Sequence, residues 1–268
     1  MRDRHVLITG GSGGIGLALA RQAAAAGARV TLLARDPAKL AAAAASMHAQ
    51  APQAPAALAV VADVADEAAV LSAVRTAEGT HGPVDVLIAS AGVARPGYFA
   101  ELPVEVFRHA MDVNYFGTLH AIKAVTPGMV ARRCGRVVII SSGAGLVGLF
   151  GYTAYAPSKF ALRGLAESLR AELKPSGVGV TIVYPPDTDT PQLAEENLTK
   201  PAETRALTAA AGLWSADAVA RVTLAGIQRG KFSITPGVQL TALSSFHSLI
   251  APILRWSFDR TASRASQR

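Results

Sequence analysis

Short apolar runs alternate with longer, alanine-rich amphipathic stretches along almost the whole chain. The runs His5–Thr9, Arg29–Ala34, Leu58–Val61, Val84–Ala89, Arg136–Ser141, Val178–Val183 and Phe232–Thr235 read as strands. Several show no polar alternation, as in Val137-Val138-Ile139-Ile140, the composition a strand needs when both its faces are covered. Between them, helical spacing recurs near 14–26, 37–49, 66–80, 103–132, 153–174 and 216–229. Asp36-Pro37 sets a cap before an N1 proline, and Asp66 and Ser215 are further N-cap candidates. This alternation predicts one doubly wound α/β domain, a parallel sheet with helices on both faces. It covers residues 1–237 with 184–214 as a lid, followed by an apolar and then basic segment, 238–268.

Composition narrows the classes. Of the 268 residues, 50% are hydrophobic and 17% charged, which excludes a disordered chain and leaves ample length for a core. A single cysteine, Cys134, excludes an intrachain disulfide framework and a cysteine-based zinc cage, and no metal is expected. The net charge of +7 suits nucleic acid, an anionic membrane surface or an anionic cofactor. Nucleic acid is not expected, because no recognition helix or basic aromatic platform is legible. Met1-Arg2-Asp3-Arg4 leads straight into an apolar strand, so no secretory signal is expected and the cytoplasm is the expected location.

The first strand ends in Thr9-Gly10-Gly11-Ser12-Gly13-Gly14-Ile15-Gly16, and a helix follows at once. Glycines here let the chain turn tightly and bring backbone N–H groups against a pyrophosphate, where the helix N-terminus adds partial positive charge. Lying between strand and helix at the start of a βαβ unit, Gly10, Ser12, Gly13, Gly14, Ile15 and Gly16 read as a dinucleotide site. The second strand ends in Leu33-Ala34-Arg35-Asp36. An NAD-selective site places an acid here for the ribose 2′-hydroxyl, whereas Arg35 offers a planar fork of donors to a 2′-phosphate. NADP(H) is the expected cofactor. Asp63, after the third strand, suits either an adenine amino group or a turn cap.

Tyr155-Ala156-Pro157-Ser158-Lys159 places a phenol and an ammonium at i and i+4, on one helix face. A free phenol titrates at about pKa 10, too high for efficient proton transfer near neutrality, and a nearby cation is expected to lower it. Ser142 lies at the end of the fifth strand, on the edge where ligands bind in open α/β sheets, and could hydrogen-bond a carbonyl oxygen. Asn114 falls in mid-helix, where a buried amide needs partners; a water in a proton relay is one way to supply them. Singly, these are a surface pair, a cap and a satisfied core amide. Behind a dinucleotide turn they read as one proton-transfer set.

With these motifs the chain resembles the short-chain dehydrogenase/reductase family over nearly its whole length. The resemblance implies a seven-stranded Rossmann sheet in the order 3-2-1-4-5-6-7 and a catalytic set of Asn114, Ser142, Tyr155 and Lys159. Tyr155 would be the general acid in reduction, Lys159 would also bind the nicotinamide ribose, and Asn114 would support the water relay. Cofactor contacts would extend to Asp63, Val64, Ala91, Gly92, Pro185, Thr188 and Thr190. The family's Asn-Asn-Ala-Gly reads Ala89-Ser90-Ala91-Gly92 here, so an asparagine contact steadying the sheet is lost or replaced by Ser90, and its Pro-Gly reads Pro185-Pro186. Dimers or tetramers through the helices near 103–132 and 153–174 are also implied.

Tyr184-Pro185-Pro186-Asp187-Thr188-Asp189-Thr190-Pro191, Ala194-Glu195-Glu196-Asn197 and Thr199-Lys200-Pro201 narrow the resemblance to the 3-ketosphinganine reductases, which use NADPH on a long-chain amino ketone. The alternatives are a reductase of another apolar ketone, such as a steroid, and a non-catalytic NADP(H) sensor. Asp187, Asp189, Glu195 and Glu196 could face a substrate ammonium or cap helix ends. Val238–Phe258 is apolar but interrupted, and Arg255, Arg260, Arg264 and Arg268 follow among few acids. That pattern suits peripheral contact with anionic lipid, or a helix closing the pocket.

Overall fold

The structure is a computed structural model that describes residues 1–208 and 212–265. Residues 209–211 of the expected lid and the end of the basic tail, Arg268 included, lie outside the described residues. Seven parallel strands form one sheet: β1 (His5–Thr9), β2 (Arg29–Ala34), β3 (Leu58–Val61), β4 (Val86–Ala89), β5 (Gly135–Ile140), β6 (Val178–Val183) and, late in the chain, β9 (Ser233–Ile234). Their order is β3-β2-β1-β4-β5-β6-β9, the doubly wound arrangement expected from the sequence. The fourth strand starts two residues later than expected, and the last shortens to Ser233–Ile234.

Adjacent residues of a strand point to opposite faces. Leu7, Leu87 and Ile139 enter one core, with Ile122 of α5 (Gly117–Ala131) and Leu162 of α6 (Tyr155–Leu173). Ile8, Ile88 and Val138 enter the other, with Leu19 of α1 (Gly14–Ala25), Leu40 of α2 (Pro37–Gln50) and Leu224 of α9 (Ala216–Gln228). This double burial is the reason the central strands lack polar alternation. Asp36 caps α2 through Ala38 and Lys39 N–H, Asp66 caps α3 (Glu67–His81) through Ala69 N–H, and Ser215 caps α9 through Ala218 N–H.

The helix expected over 103–132 runs from Val104 to Ala131, but its pitch changes part-way. After α4 (Val104–Ala110) comes a π-helical turn, Met111–Phe116, before α5. The wider turn carries the Asn114 side chain to the backbone of Val93, and those hydrogen bonds offset its poorer internal geometry. After β6, the lid folds as β7 (Thr188–Asp189), α7 (Pro191–Thr199), α8 (Ala202–Thr208) and β8 (Trp214–Ser215), with β7 and β8 paired. The segment after β9 forms α10 (Val238–Ser245) and α11 (His247–Ala265), and α11 packs on α8. No helix among the described residues is long and apolar enough to cross a membrane.

Candidate active site

A cavity of about 1220 Å³ opens along the carboxyl ends of the central strands. The β1–α1 turn forms one end. Gly10 has φ +67, and a Cβ there would meet the Ala91 backbone at 2.8 Å, so only glycine lets the turn lie against the end of β4. A Cβ on Gly16 would run into the Gly10 carbonyl oxygen. At Gly13 a Cβ would meet nothing within 4 Å, so that position opens into the cavity. No side chain caps α1, which leaves its first N–H groups for an anion. A pyrophosphate fits this cradle.

Arg35 lines the same end, together with Lys39, which sequence reasoning missed although it stands four residues on. Asp36 caps α2 through Oδ1 and lines this end as well. Asp63 does not line the cavity, although it was expected among the cofactor contacts. Its Oδ1 accepts from Ala65 N–H at 3.0 Å and its Oδ2 lies 3.7 Å from Arg35 Nη1. Its side chain makes the turn cap, and its neighbours Ala62 and Val64 line the wall. The Thr9 hydroxyl accepts from the backbone N–H groups of Ser90 and Ala91, so main chain, rather than the Ser90 side chain, makes the steadying contact. Ala91, Gly92, Pro185, Thr188 and Thr190 all line the cavity. Pro185 accepts from Gly143 N–H at 3.0 Å, and Thr190 caps α7 through Leu193 N–H with its methyl group beside Gly14.

Ser142, Tyr155 and Lys159 meet in the middle of the cavity. Ser142 lies two residues past β5 and accepts from Ala144 N–H at 3.2 Å, so its hydroxyl is aimed by the single turn of 3₁₀ helix it caps. Tyr155 opens α6, and Lys159 Nζ lies 5.5 Å from its ring centroid and donates to the Ile140 carbonyl at 3.2 Å. Burial pushes the Lys159 pKa down to about 8, while the charge of Glu196 opposes the fall. The phenol is not acidified as expected. Burial chiefly, and then Glu196 and Asp187, push its pKa above the ordinary value, and only its hydrogen bond with Ser142 acts the other way. The reason is that the ammonium sits against the Ile140 carbonyl rather than on the phenol oxygen, while burial penalises the phenolate.

Asn114 lies behind this group, not in it. Its Oδ1 accepts from Val93 N–H at 2.8 Å, and its Nδ2 donates to Val93 O at 3.0 Å and to Ser158 Oγ at 2.9 Å. Protein groups thus partner both ends of the side chain. It fixes the Gly92–Val93 segment that follows β4, beneath Lys159.

Comparison with known proteins decides the family. The short chain dehydrogenase model matches residues 4–201. The chain belongs to the short-chain dehydrogenase family. It is 43% identical over 255 residues to a 3-dehydrosphinganine reductase of Danio rerio, covering 94% of this chain and 77% of that protein. It is 42% identical over 251 residues to a 3-ketodihydrosphingosine reductase of Bos taurus, covering 93% and 76%. Among solved structures, a short-chain dehydrogenase from Sphingobium yanoikuyae in complex with NADPH superposes with a TM-score of 0.79 at 27% identity, covering 94% of this chain and 95% of that one. As a short-chain dehydrogenase the protein is an oxidoreductase of a family that works with a nicotinamide cofactor.

Two further walls complete this dehydrogenase cavity, and of their residues Tyr152 and Gln192 were not singled out in the sequence. Tyr152 stacks at a tilt on Tyr155, ring centroids 5.6 Å apart, and donates to Glu196 Oε2 at 2.7 Å. Gln192 Nε2 donates to Glu196 Oε1 at 2.8 Å. Glu195 and Glu196 lie within α7, so neither caps it. Asp187 instead pairs with the buried Lys200 at 3.5 Å. The four lid acids looked alike in sequence, and only the docking of α7 chooses the one that is buried. The last wall comes from α10 and α11, where Leu240, Leu243, Ile250, Leu254 and Phe258 face inward.

Proposed function

We propose that the protein is an NADPH-dependent reductase of a long-chain amino ketone, converting 3-ketosphinganine to sphinganine. The observation that carries the reading is one cavity running from the phosphate turn, past the Tyr155 phenol, into an apolar vault under α10 and α11. Such a vault gains about 0.8 kcal/mol for each methylene it takes from water, so it favours a long alkyl chain. Arg35 and Lys39 at the other end support a 2′-phosphate, and the sphingoid reductases among the relatives support the amino ketone.

When bound, the nicotinamide supplies a hydride to the carbonyl carbon. Ser142 donates to the ketone oxygen and fixes its position. Tyr155 is held protonated by burial, and it delivers its proton to that oxygen as negative charge develops there. Lys159 Nζ, 5.5 Å from the ring centroid, would have to swing from the Ile140 carbonyl toward the phenol oxygen to stabilise the phenolate left behind. Asn114 acts from a distance, by holding the segment after β4 that carries Gly92.

Outside the vault, α11 turns Leu249, Ile253 and Trp256 to solvent, at 73%, 66% and 62% exposure, with Arg260 over the Trp256 ring. This apolar and basic face supports peripheral contact with an anionic bilayer, from which a lipid ketone would enter. Exposed Phe116 and Phe160, beside α5 and on α6, support self-association of two or four copies through those helices.

The decisive measurement is NADPH consumption with 3-ketosphinganine, with NADH as the control. Wild-type protein turns over, and Tyr155→Phe binds NADPH but loses about 10²- to 10⁴-fold in turnover. Retention of most turnover by Tyr155→Phe, or reduction of steroids but not of ketosphinganine, overturns the reading.

A further inference from the structure

Glu196 is 8% exposed, faces the catalytic cavity, and receives two neutral hydrogen bonds, from Tyr152 and Gln192. A buried carboxylate is ordinarily matched by a cation, because taking its charge out of water is costly. Its neighbour in the lid obeys that rule, since Asp187 pairs with Lys200. No lysine, arginine or histidine among the described residues makes an ion pair with Glu196. Lys200 is committed to Asp187 and Lys159 to the Ile140 carbonyl. The carboxylate is also one aromatic ring away from the proton donor, because Tyr152 touches both Glu196 and Tyr155. The missing cation would thus sit next to the reacting carbonyl.

We propose that Glu196, aimed by Tyr152 and Gln192, receives the protonated amino group on the carbon beside the substrate's ketone and so selects amino ketones over plain long-chain ketones. The inference deepens the proposed function and rests on it. It also has a kinetic consequence. In the described arrangement the Glu196 charge makes Tyr155 reluctant to give up its proton. An ammonium that neutralises the carboxylate removes that hindrance, so an amino ketone gains in kcat as well as in KM.

The test compares 3-ketosphinganine with its analogue lacking the amino group, in wild-type protein and in Glu196→Gln. The readout is the ratio of kcat/KM for the amine over the analogue. Loss of a charge-assisted hydrogen bond in a dry site predicts a fall in that ratio of about 10- to 100-fold. Because the ratio compares two substrates in one protein, any general loss of turnover in Glu196→Gln cancels from it. A merely structural role for Glu196 would lower both substrates together. A second measurement needs no turnover. Octadecylamine should compete with substrate at least tenfold better than octadecanol in wild-type protein, and that preference should vanish in Glu196→Gln. A ratio that falls less than about tenfold, or an amine preference that survives, overturns the ammonium site. If wild-type protein reduces both ketones equally, the ammonium site fails while the reductase reading stands. If it reduces neither, the reductase reading fails and this inference with it.

Discussion

Lys159 is a catalytic group held against the grain of stability, and replacing it should make the protein more stable and inactive. Burial lowers its pKa from the ordinary 10.5 to about 8. A drop of that size corresponds to about 3 kcal/mol against the charged form near neutral pH. The sign follows from proton binding. Between pH 8 and 10.5 the unfolded chain holds a proton that the native lysine does not, so stability rises with pH across that window and the penalty is complete below it. Lys159→Met removes the charge and keeps the length of the side chain. Against that gain stands the lost Nζ bond to the Ile140 carbonyl, worth about 1 kcal/mol. The variant should therefore be more stable by about 2 kcal/mol at pH 7, a rise of about 4 °C in Tm. The advantage should shrink to about zero near pH 10, where most of the unfolded-state difference has titrated away. Urea unfolding of both proteins without cofactor, at pH 7 and pH 10, measures this directly, and Tyr155 drops out because both contain it. A variant less stable than wild type at pH 7, or an advantage equal at the two pH values, would refute the account.

Arg35→Ala should lower kcat/KM for NADPH by about tenfold and leave NADH almost unaffected, because it removes a phosphate contact that only NADPH makes. Equal losses with both cofactors would mean that Arg35 does not read the 2′-phosphate. Asn114→Ala strips partners from the backbone of Val93 and from Ser158, so a loss of about 2–4 kcal/mol in urea unfolding is expected. An unchanged urea midpoint would remove Asn114 as the anchor of that segment. Flotation with anionic vesicles should recover wild-type protein in low salt, but not the double variant Leu249→Glu, Ile253→Glu. Recovery of both, or of neither, would dismiss the lipid-facing edge.

Much of the site was legible because its residues act through local chain geometry. The glycine turn announces itself by lying between a strand and a helix, and Tyr155 and Lys159 share a helix face at a spacing that nothing else in the fold alters. The π-turn at Met111–Phe116 was not legible, since the partner of its Asn114 side chain, the backbone of Val93, lies 21 residues away in the chain. Lys39 and Tyr152 were overlooked for the same kind of reason: a lysine on a first helical turn and a tyrosine in a loop carry no mark of the cavity they face.

The order of apolar runs and caps determined the sheet, its helices and the edge on which chemistry takes place, because strand burial and helix spacing are written in every few residues. Three matters were left to the packing of distant segments. Docking of α7 selected Glu196 from four acids and set it beside Tyr152. Burial, set by the whole fold, moved the phenol's pKa up, away from neutral pH, and the ammonium's down, toward it. The return of α10 and α11 over the cavity turned an interrupted apolar tail into a wall. Charge desolvation and cavity shape depend on what surrounds a group in space, and sequence neighbours do not fix that.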